Sequence, residues 1–277
     1  MSKRKHIAWL KRGLEKLGEG YTSLDASKPW LCFWILHSLD LLETHHDEIL
    51  ETRAIQTIQQ CQHAQGGYGG GPNQLPHLAC TFAAICALAV IGSEAAFASI
   101  NLSGLTRFLQ AMRRPDGSFS VHEAGENDVR GAYCAIVVAS LTGIATPSLF
   151  AGTAGFIASC QSYEGGFGAV PHAEAHAGYT YCAVAALTIL DDGMEGIDLP
   201  ALHRFAQLSQ CAEAGGFRGR NHKLVDGCYS FWAGALFPML RRVWPASYFN
   251  SAALQKYILV ACQDPSGCGG LRDKPGK

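Results

Sequence analysis

The sequence predicts an all-α ring of helix pairs with an inner and an outer layer, and three observations carry that prediction. A glycine turn recurs at Gly66-Gly67, Gly117, Gly165-Gly166 and Gly215-Gly216, in steps of 51, 48 and 50 residues. An amphipathic segment precedes most of these turns, and a more apolar, Ala-rich segment follows each of them. A polar residue then stands eleven positions beyond each reference glycine: His77, Asp128, His176 and Asp226. Self-similarity at a fixed period marks a repeat architecture, in which each unit buries its apolar face against its neighbours.

Taken in order, residues 102–113, 147–161 and 199–211 carry apolar side chains at helical spacing and predict outer helices. Residues 78–91, 128–141, 178–190 and 228–240 are rich in Ala, Leu, Ile and Val with few charges. They are too long and too Ala-rich for strands, and a helix apolar all round is a buried one. They predict the inner layer. A reversal between outer and inner helix needs positive φ, which glycine adopts without steric cost. The aromatics that follow, Tyr68, Phe119, Phe167 and Phe217, are expected to pack each turn against the ring. Residues 191–200 read as an ordinary loop, so 1–277 reads as one domain of about five repeats. The fifth, beginning at Gly269-Gly270, stops before its own polar position at 280, which predicts an incomplete C-terminal end.

Composition narrows the function. The 277 residues are 48% hydrophobic with a net charge of -1, so no global field draws the chain to nucleic acid or an anionic membrane. No apolar run reaches the length of a membrane span. Eleven cysteines, an odd number set mostly among apolar residues, read as reduced core thiols, and with no visible secretory signal they predict a cytoplasmic protein.

Inner helices that begin after the turns bring the polar positions to one end of the ring, where helix N-termini favour an anion. Arg130 and Tyr133 are one turn apart there, as are His176 and Tyr179, and Arg218, Arg220, His222 and Lys223 crowd the loop before the fourth inner helix. Asp226 suits an N-cap, and Cys228 suits a core thiol. The same carboxylate and thiol also suit Zn²⁺, for which two ligands are not a site. Trp30 and Trp34 share one helix face, and Tyr133, Tyr179, Tyr229 and Trp232 recur on later inner helices. A ring lined by aromatics with cations at its mouth fits a long apolar molecule with an anionic head, such as an isoprenoid diphosphate.

Over essentially its whole length the chain resembles the prenyltransferase β-subunit family, in its protein farnesyltransferase branch. The segments that carry the resemblance include Asp25-Ala26-Ser27-Lys28-Pro29-Trp30-Leu31-Cys32, Gly69-Gly70-Gly71-Pro72 through Pro76-His77-Leu78, and Asp128-Val129-Arg130. The most specific are Glu174-Ala175-His176-Ala177-Gly178-Tyr179, Lys223-Leu224-Val225-Asp226-Gly227-Cys228-Tyr229-Ser230-Phe231-Trp232 and Asp273-Lys274-Pro275-Gly276-Lys277.

The resemblance implies an α/α toroid that pairs with a helical α subunit. It also implies transfer of farnesyl from farnesyl diphosphate to the cysteine of a C-terminal CaaX motif. On that resemblance Asp226 and Cys228 are zinc ligands, with a third, a histidine, expected beyond Lys277. His176, Arg220, Lys223 and Tyr229 hold the diphosphate, with Lys274 and Lys277 nearby. Arg130, Tyr133, Tyr179, Cys182, Trp232 and Trp30 line the isoprenoid channel. Trp34, His77, Ala79 and again Arg130 meet the substrate peptide, and Asp273 positions Mg²⁺.

A free cysteine thiol ionises near ~8.5, and zinc makes it a thiolate at neutral pH. Attack on the first isoprenoid carbon then expels diphosphate, whose growing charge the cationic groups stabilise. Trp30, where the type I geranylgeranyl relatives carry a small residue, and Asp273, where they carry lysine, point to the fifteen-carbon lipid. The alternatives are a type I geranylgeranyltransferase β subunit, or a non-catalytic, shortened chain that only binds an α subunit. A terpenoid cyclase would need an Asp-rich protonation motif, which the sequence does not contain.

Overall fold

The computed structural model describes residues 2–44, 47–191, 194–245 and 248–276. Helix α1 (Lys3–Glu15) leads through a 3₁₀ stretch, Glu19–Ser27, into α2 (Lys28–Leu41) and α3 (Glu48–Gln60). The chain continues through α4 (Leu78–Ile91), the short α5 (Glu94–Ala98), α6 (Leu102–Met112), α7 (Val129–Leu141), α8 (Thr153–Ser159), α9 (Ala177–Leu190) and α10 (Leu199–Leu208). It closes with α11 (Tyr229–Trp232), α12 (Leu236–Leu240) and α13 (Ser251–Tyr257), the last running into a π-type turn, Ile258–Cys262. Among the described residues the β pairing consists of isolated bridges alone.

The inner layer is the succession α2, α4, α7 and α9, each packed mainly on the next, with α11 and α12 following α9. Alanine makes that succession possible. Ala83, Ala84 and Ala87 of α4, Ala132, Ala135 and Ala139 of α7, and Ala183 and Ala186 of α9 are fully buried. Small side chains let neighbouring helix backbones approach, while Leu78, Ile85 and Leu88 fill the space left between them. The outer helices are one-sided instead. In α6 the buried residues are Gly104, Leu105, Phe108, Leu109 and Met112, a stripe at helical spacing.

Each glycine turn is pinned by one antiparallel bridge: Gln62 with Tyr68, Arg113 with Phe119, Gln161 with Phe167, Gln210 with Phe217 and Gln263 with Leu271. Tyr68, Phe119, Phe167 and Phe217 are essentially inaccessible, which bears out their expected role as the plugs of the turns. Only Leu271, at the fifth turn, stays exposed. At Gly165, with φ near +94°, a Cβ would stand 2.1 Å from the carbonyl oxygen of Ala201, so the close approach of turn and helix excludes any side chain.

Two predicted helices differ from the observed ones. Residues 228–240 are not one inner helix but α11 and α12, separated by a turn at residues 233–235. A Cβ at Gly234 would lie 2.2 Å from the Ser230 carbonyl oxygen, so the chain tightens where a regular helix would continue. Residues 147–161 hold only the seven-residue α8, because Thr146 and Gly152 shape a turn before it: Thr146 Oγ1 accepts from the Leu149 N–H, and Gly152 takes φ +82°.

Candidate functional site

The four polar register positions perform one local task. The His77 side chain accepts from the Ala79 N–H at 3.0 Å, Asp128 from Arg130 N–H at 2.8 Å, His176 from Gly178 N–H at 3.0 Å, and Asp226 from Cys228 N–H at 3.0 Å. Each therefore satisfies a backbone donor at the start of an inner segment. The next residue's N–H then crosses to the neighbouring repeat. Leu78 donates to the Val121 carbonyl at 2.7 Å, Val129 to Ala169 at 3.0 Å, Ala177 to Gly219 at 2.8 Å and Gly227 to Asp273 at 2.6 Å. Lys28, heading α2, does the same to Gly70 at 2.8 Å. Five equivalent stitches thus tie the inner helix starts into one rim.

Two caps are histidines, and the geometry assigns their protons. Nδ1 of His176 accepts a backbone N–H, so the neutral ring carries its hydrogen on Nε2, which lies 3.1 Å from the Tyr229 hydroxyl oxygen. Nε2–H donates, and the Tyr229 O–H is left to donate into the mouth. Burial lowers the pKa of His176, and the Arg220 guanidinium lowers it further. His77 is lowered by burial and then by His122, whose ring centre is 5.5 Å away.

Cations converge on this end. Arg130 forms a forked pair with Asp128 (Nε to Oδ2 3.0 Å, Nη2 to Oδ2 2.5 Å), and its guanidinium stands 5.6 Å from the centre of the Tyr179 ring. Asp128 is only 4% exposed, so it holds Arg130 firmly. Arg220 pairs with Glu174 at 3.0 Å, and Lys274 stands 3.7 Å from Asp226. Lys223 lies on the exposed loop, where its N–H donates to the Arg220 carbonyl. Lys277 falls outside the described residues.

The metal question turns on Asp226 and Cys228. The Cys228 side chain reaches solvent, yet the protein crowded round its sulfur disfavours the anion, and the Asp226 and Asp273 carboxylates add to that. Its pKa is pushed up to about 12. A divalent cation relieves that repulsion and favours the thiolate, so the two side chains fit as donors to one ion. Among the described residues no three His, Cys, Asp or Glu side chains group to hold a metal.

Inside the rim the rings form a continuous line. Trp34 meets Trp30 at 5.3 Å, Trp30 meets Phe82 at 5.7 Å, Phe82 meets Tyr133 at 5.5 Å, Tyr133 meets Tyr181 at 5.7 Å and Tyr181 meets Trp232 at 5.3 Å between centres. Here the structure corrects the grouping of Tyr133 with Tyr179 and Tyr229. Tyr179 and Tyr229 pack on His176 at the mouth, whereas Tyr133 belongs to the line below. Phe82 and Tyr181 of this line, and Phe231, whose ring centre lies 4.8 Å from that of Tyr181, are not among the aromatics singled out from the sequence. The signal was present: they and Tyr133 stand five residues after His77, His176, Asp226 and Asp128. Cys182 is 5% exposed and sits in the apolar core, where burial pushes its thiol up to about 12. Ala79 is half-buried beside its cap, His77.

Residues 1–277 match the family described as the prenyltransferase alpha-alpha toroid domain. Protein farnesyltransferase subunit beta of Arabidopsis thaliana is 47% identical over 240 residues, covering 87% of this chain and 49% of that protein. The namesake of Schizosaccharomyces pombe is 40% identical over 283 residues, covering 99% and 73%. The chain thus spans between about half and three quarters of the length of these two relatives. A solved structure, Candida albicans protein geranylgeranyltransferase-I complexed with GGPP, superposes with a TM-score of 0.84 over 100% of this chain and 86% of that one, at 21% identity, and so supports the fold. With the repeat, the stitched rim and these relationships together, the chain belongs to the prenyltransferase α/α-toroid family, among the protein farnesyltransferase β subunits.

Proposed function

We propose that residues 1–277 form one toroid domain of a protein farnesyltransferase β subunit. It transfers farnesyl from its diphosphate to the cysteine of a CaaX terminus, in the cytoplasm and together with an α subunit. The observation that carries this reading is the mouth itself, where His176, Tyr229, Arg220 and Arg130 stand on the rim and a line of aromatic rings runs inside it. Such a site takes an apolar chain below and an anionic head above. No described helix is long and apolar enough to cross a membrane.

Asp226 and Cys228 would hold zinc, and Asp273 would serve magnesium at the diphosphate. Zinc supplies a Lewis-acidic centre that keeps a substrate cysteine ionised at neutral pH. The chain's own residues do the rest. Trp30, Phe82, Tyr133, Tyr181 and Trp232 hold the isoprenoid extended and exclude water. Trp34, His77 and Ala79 face the peptide. As the sulfur–carbon bond forms at the first isoprenoid carbon, the carbon–oxygen bond breaks and its electron pair leaves with the diphosphate. Tyr229 O–H, aimed by His176, and the Arg220, Lys223 and Lys274 cations stabilise that charge.

The test is zinc content and transfer of labelled farnesyl to a CaaX peptide after mixing with an α subunit. Near-stoichiometric zinc and transfer support the reading. Their absence from folded, α-bound material favours a non-catalytic, α-binding chain. Preference for geranylgeranyl diphosphate favours the type I relative; Trp30→Thr is expected to relax lipid choice, and no change would count against Trp30 as the floor of the channel.

A further inference from the structure

Each glycine turn is a seat for the outer helix that follows it. A Cβ at Gly66 would stand 1.9 Å from the Gly104 carbonyl oxygen of α6, and Gly67 lies against the Phe108 ring. The same two contacts join Gly165 and Gly166 to Ala201 and Phe205 of α10, and Gly215 and Gly216 to Ala253 and Tyr257 of α13. A small residue and an aromatic four positions later fill these seats. A glutamine clamps the helix start beside each of these three, while at the Gly117 turn Arg113 donates to the Leu149 and Ala151 carbonyls instead. Gln62 bonds the Ser99 carbonyl and the Asn101 N–H, Gln161 bonds both backbone groups of Asp198, and Gln210 bonds both of Asn250.

The fifth seat is filled from the opposite end of the chain. Gly269 lies against the Lys5 carbonyl, and Gly270 against the Trp9 ring, again four residues apart but on α1. The buried Nδ1 of His6 accepts from the Gly270 N–H at 3.0 Å. Two features set this seat apart. Lys5 stands where the others place Gly or Ala. Gln263, the counterpart of the clamping glutamines, turns back to the Leu259 carbonyl of its own helix at 2.7 Å. The segment from Gln263 to Gly276 is therefore fastened to α1 through His6 and Trp9, with Arg12 donating to the Cys268 carbonyl at 3.4 Å, and without the glutamine clamp. That segment also carries the fifth stitch, the Asp273 carbonyl on the Gly227 N–H, and places Lys274 beside Asp226.

We propose that α1 closes the ring through this seat, and that His6 and Trp9 are positioning residues that hold Asp273 and Lys274 against the Asp226–Cys228 side of the mouth. The link to catalysis rests on the proposed farnesyl transfer; the structural role does not. Hydrogen–deuterium exchange on the full chain tests it, in Trp9→Ala, His6→Ala and His6→Gln. The amides of 264–273 are expected to exchange at least tenfold faster in the two alanine variants, with α4, α7 and α9 unchanged. His6→Gln, which keeps an acceptor for Gly270, is expected to recover part of the protection. Unchanged exchange at 264–273, or an equal rise over the whole chain, overturns the proposal. If Trp9→Ala does not fold, the His6→Ala and His6→Gln pair carries the comparison. A local rise in exchange with no transfer by the parent chain would leave this role standing and remove the enzymatic reading instead.

Discussion

The Tyr229 hydroxyl oxygen lies 3.1 Å from Nε2 of His176, a contact between residues 53 apart in sequence. Since the other ring nitrogen caps α9, His176 cannot turn without releasing a helix start, and Tyr229 is aimed by a fixed donor. Tyr229→Phe removes one preorganised donor from the mouth while keeping the ring. The expected result is a fall of about tenfold to a hundredfold in kcat, with little change in KM for the peptide. Steady-state kinetics of the α-bound protein check it, and an unchanged kcat would remove Tyr229 from the charge-stabilising set.

The two histidine caps make the fold sensitive to acid. Their pKa values lie below the ordinary 6.5, so between the two values the unfolded chain binds more protons than the folded one. Stability is therefore present above about pH 6.5 and is lost as pH falls through the lowered values. Protonation also removes the Nδ1 acceptor and puts positive charge at a helix N-terminus. Thermal melts from pH 7.5 to 5.5 should show a falling Tm, with a shallower fall in His77→Asn. Equal slopes in both proteins would refute the assignment.

Cys228 is expected to be a poor nucleophile in the metal-free chain, because a thiol pushed up to about 12 is almost wholly protonated at pH 8. Alkylation followed by peptide mass mapping should find Cys228 slower than Cys268, which is also exposed. Asp226→Asn removes the adjacent charge and should speed Cys228 alkylation severalfold while lowering zinc content.

The Glu174–Arg220 pair is exposed, so it contributes little to stability, about 0–1 kcal/mol. Arg220→Ala should leave Tm nearly unchanged yet weaken farnesyl diphosphate binding by about tenfold, read by isothermal titration. A large drop in Tm with unchanged affinity would assign Arg220 to the scaffold instead.

At Gly165, alanine must place its Cβ against the Ala201 carbonyl and hold a positive φ. Gly165→Ala is expected to cost roughly 2–4 kcal/mol in chemical denaturation, whereas Gly155→Ala, inside α8 where a Cβ meets nothing, should stabilise by about 0.4–1 kcal/mol.

By itself the sequence determined the repeat, the two helical layers, the buried plugs at Tyr68, Phe119, Phe167 and Phe217, and the shared level of His77, Asp128, His176 and Asp226. These follow from local periodicity and from glycine geometry, which neighbouring residues dictate. What only the tertiary structure decided depends on partners far away in the chain. It broke residues 228–240 into α11 and α12, and it sent Tyr179 and Tyr229 to the mouth while Tyr133 joined Phe82 and Tyr181. It linked each inner helix start to the next repeat's carbonyl, and it seated α1 on the turn at Gly269-Gly270. Those outcomes are set by which backbone groups and rings meet once the layers curve into a ring. The spacing of residues along one unit carries no record of that curvature.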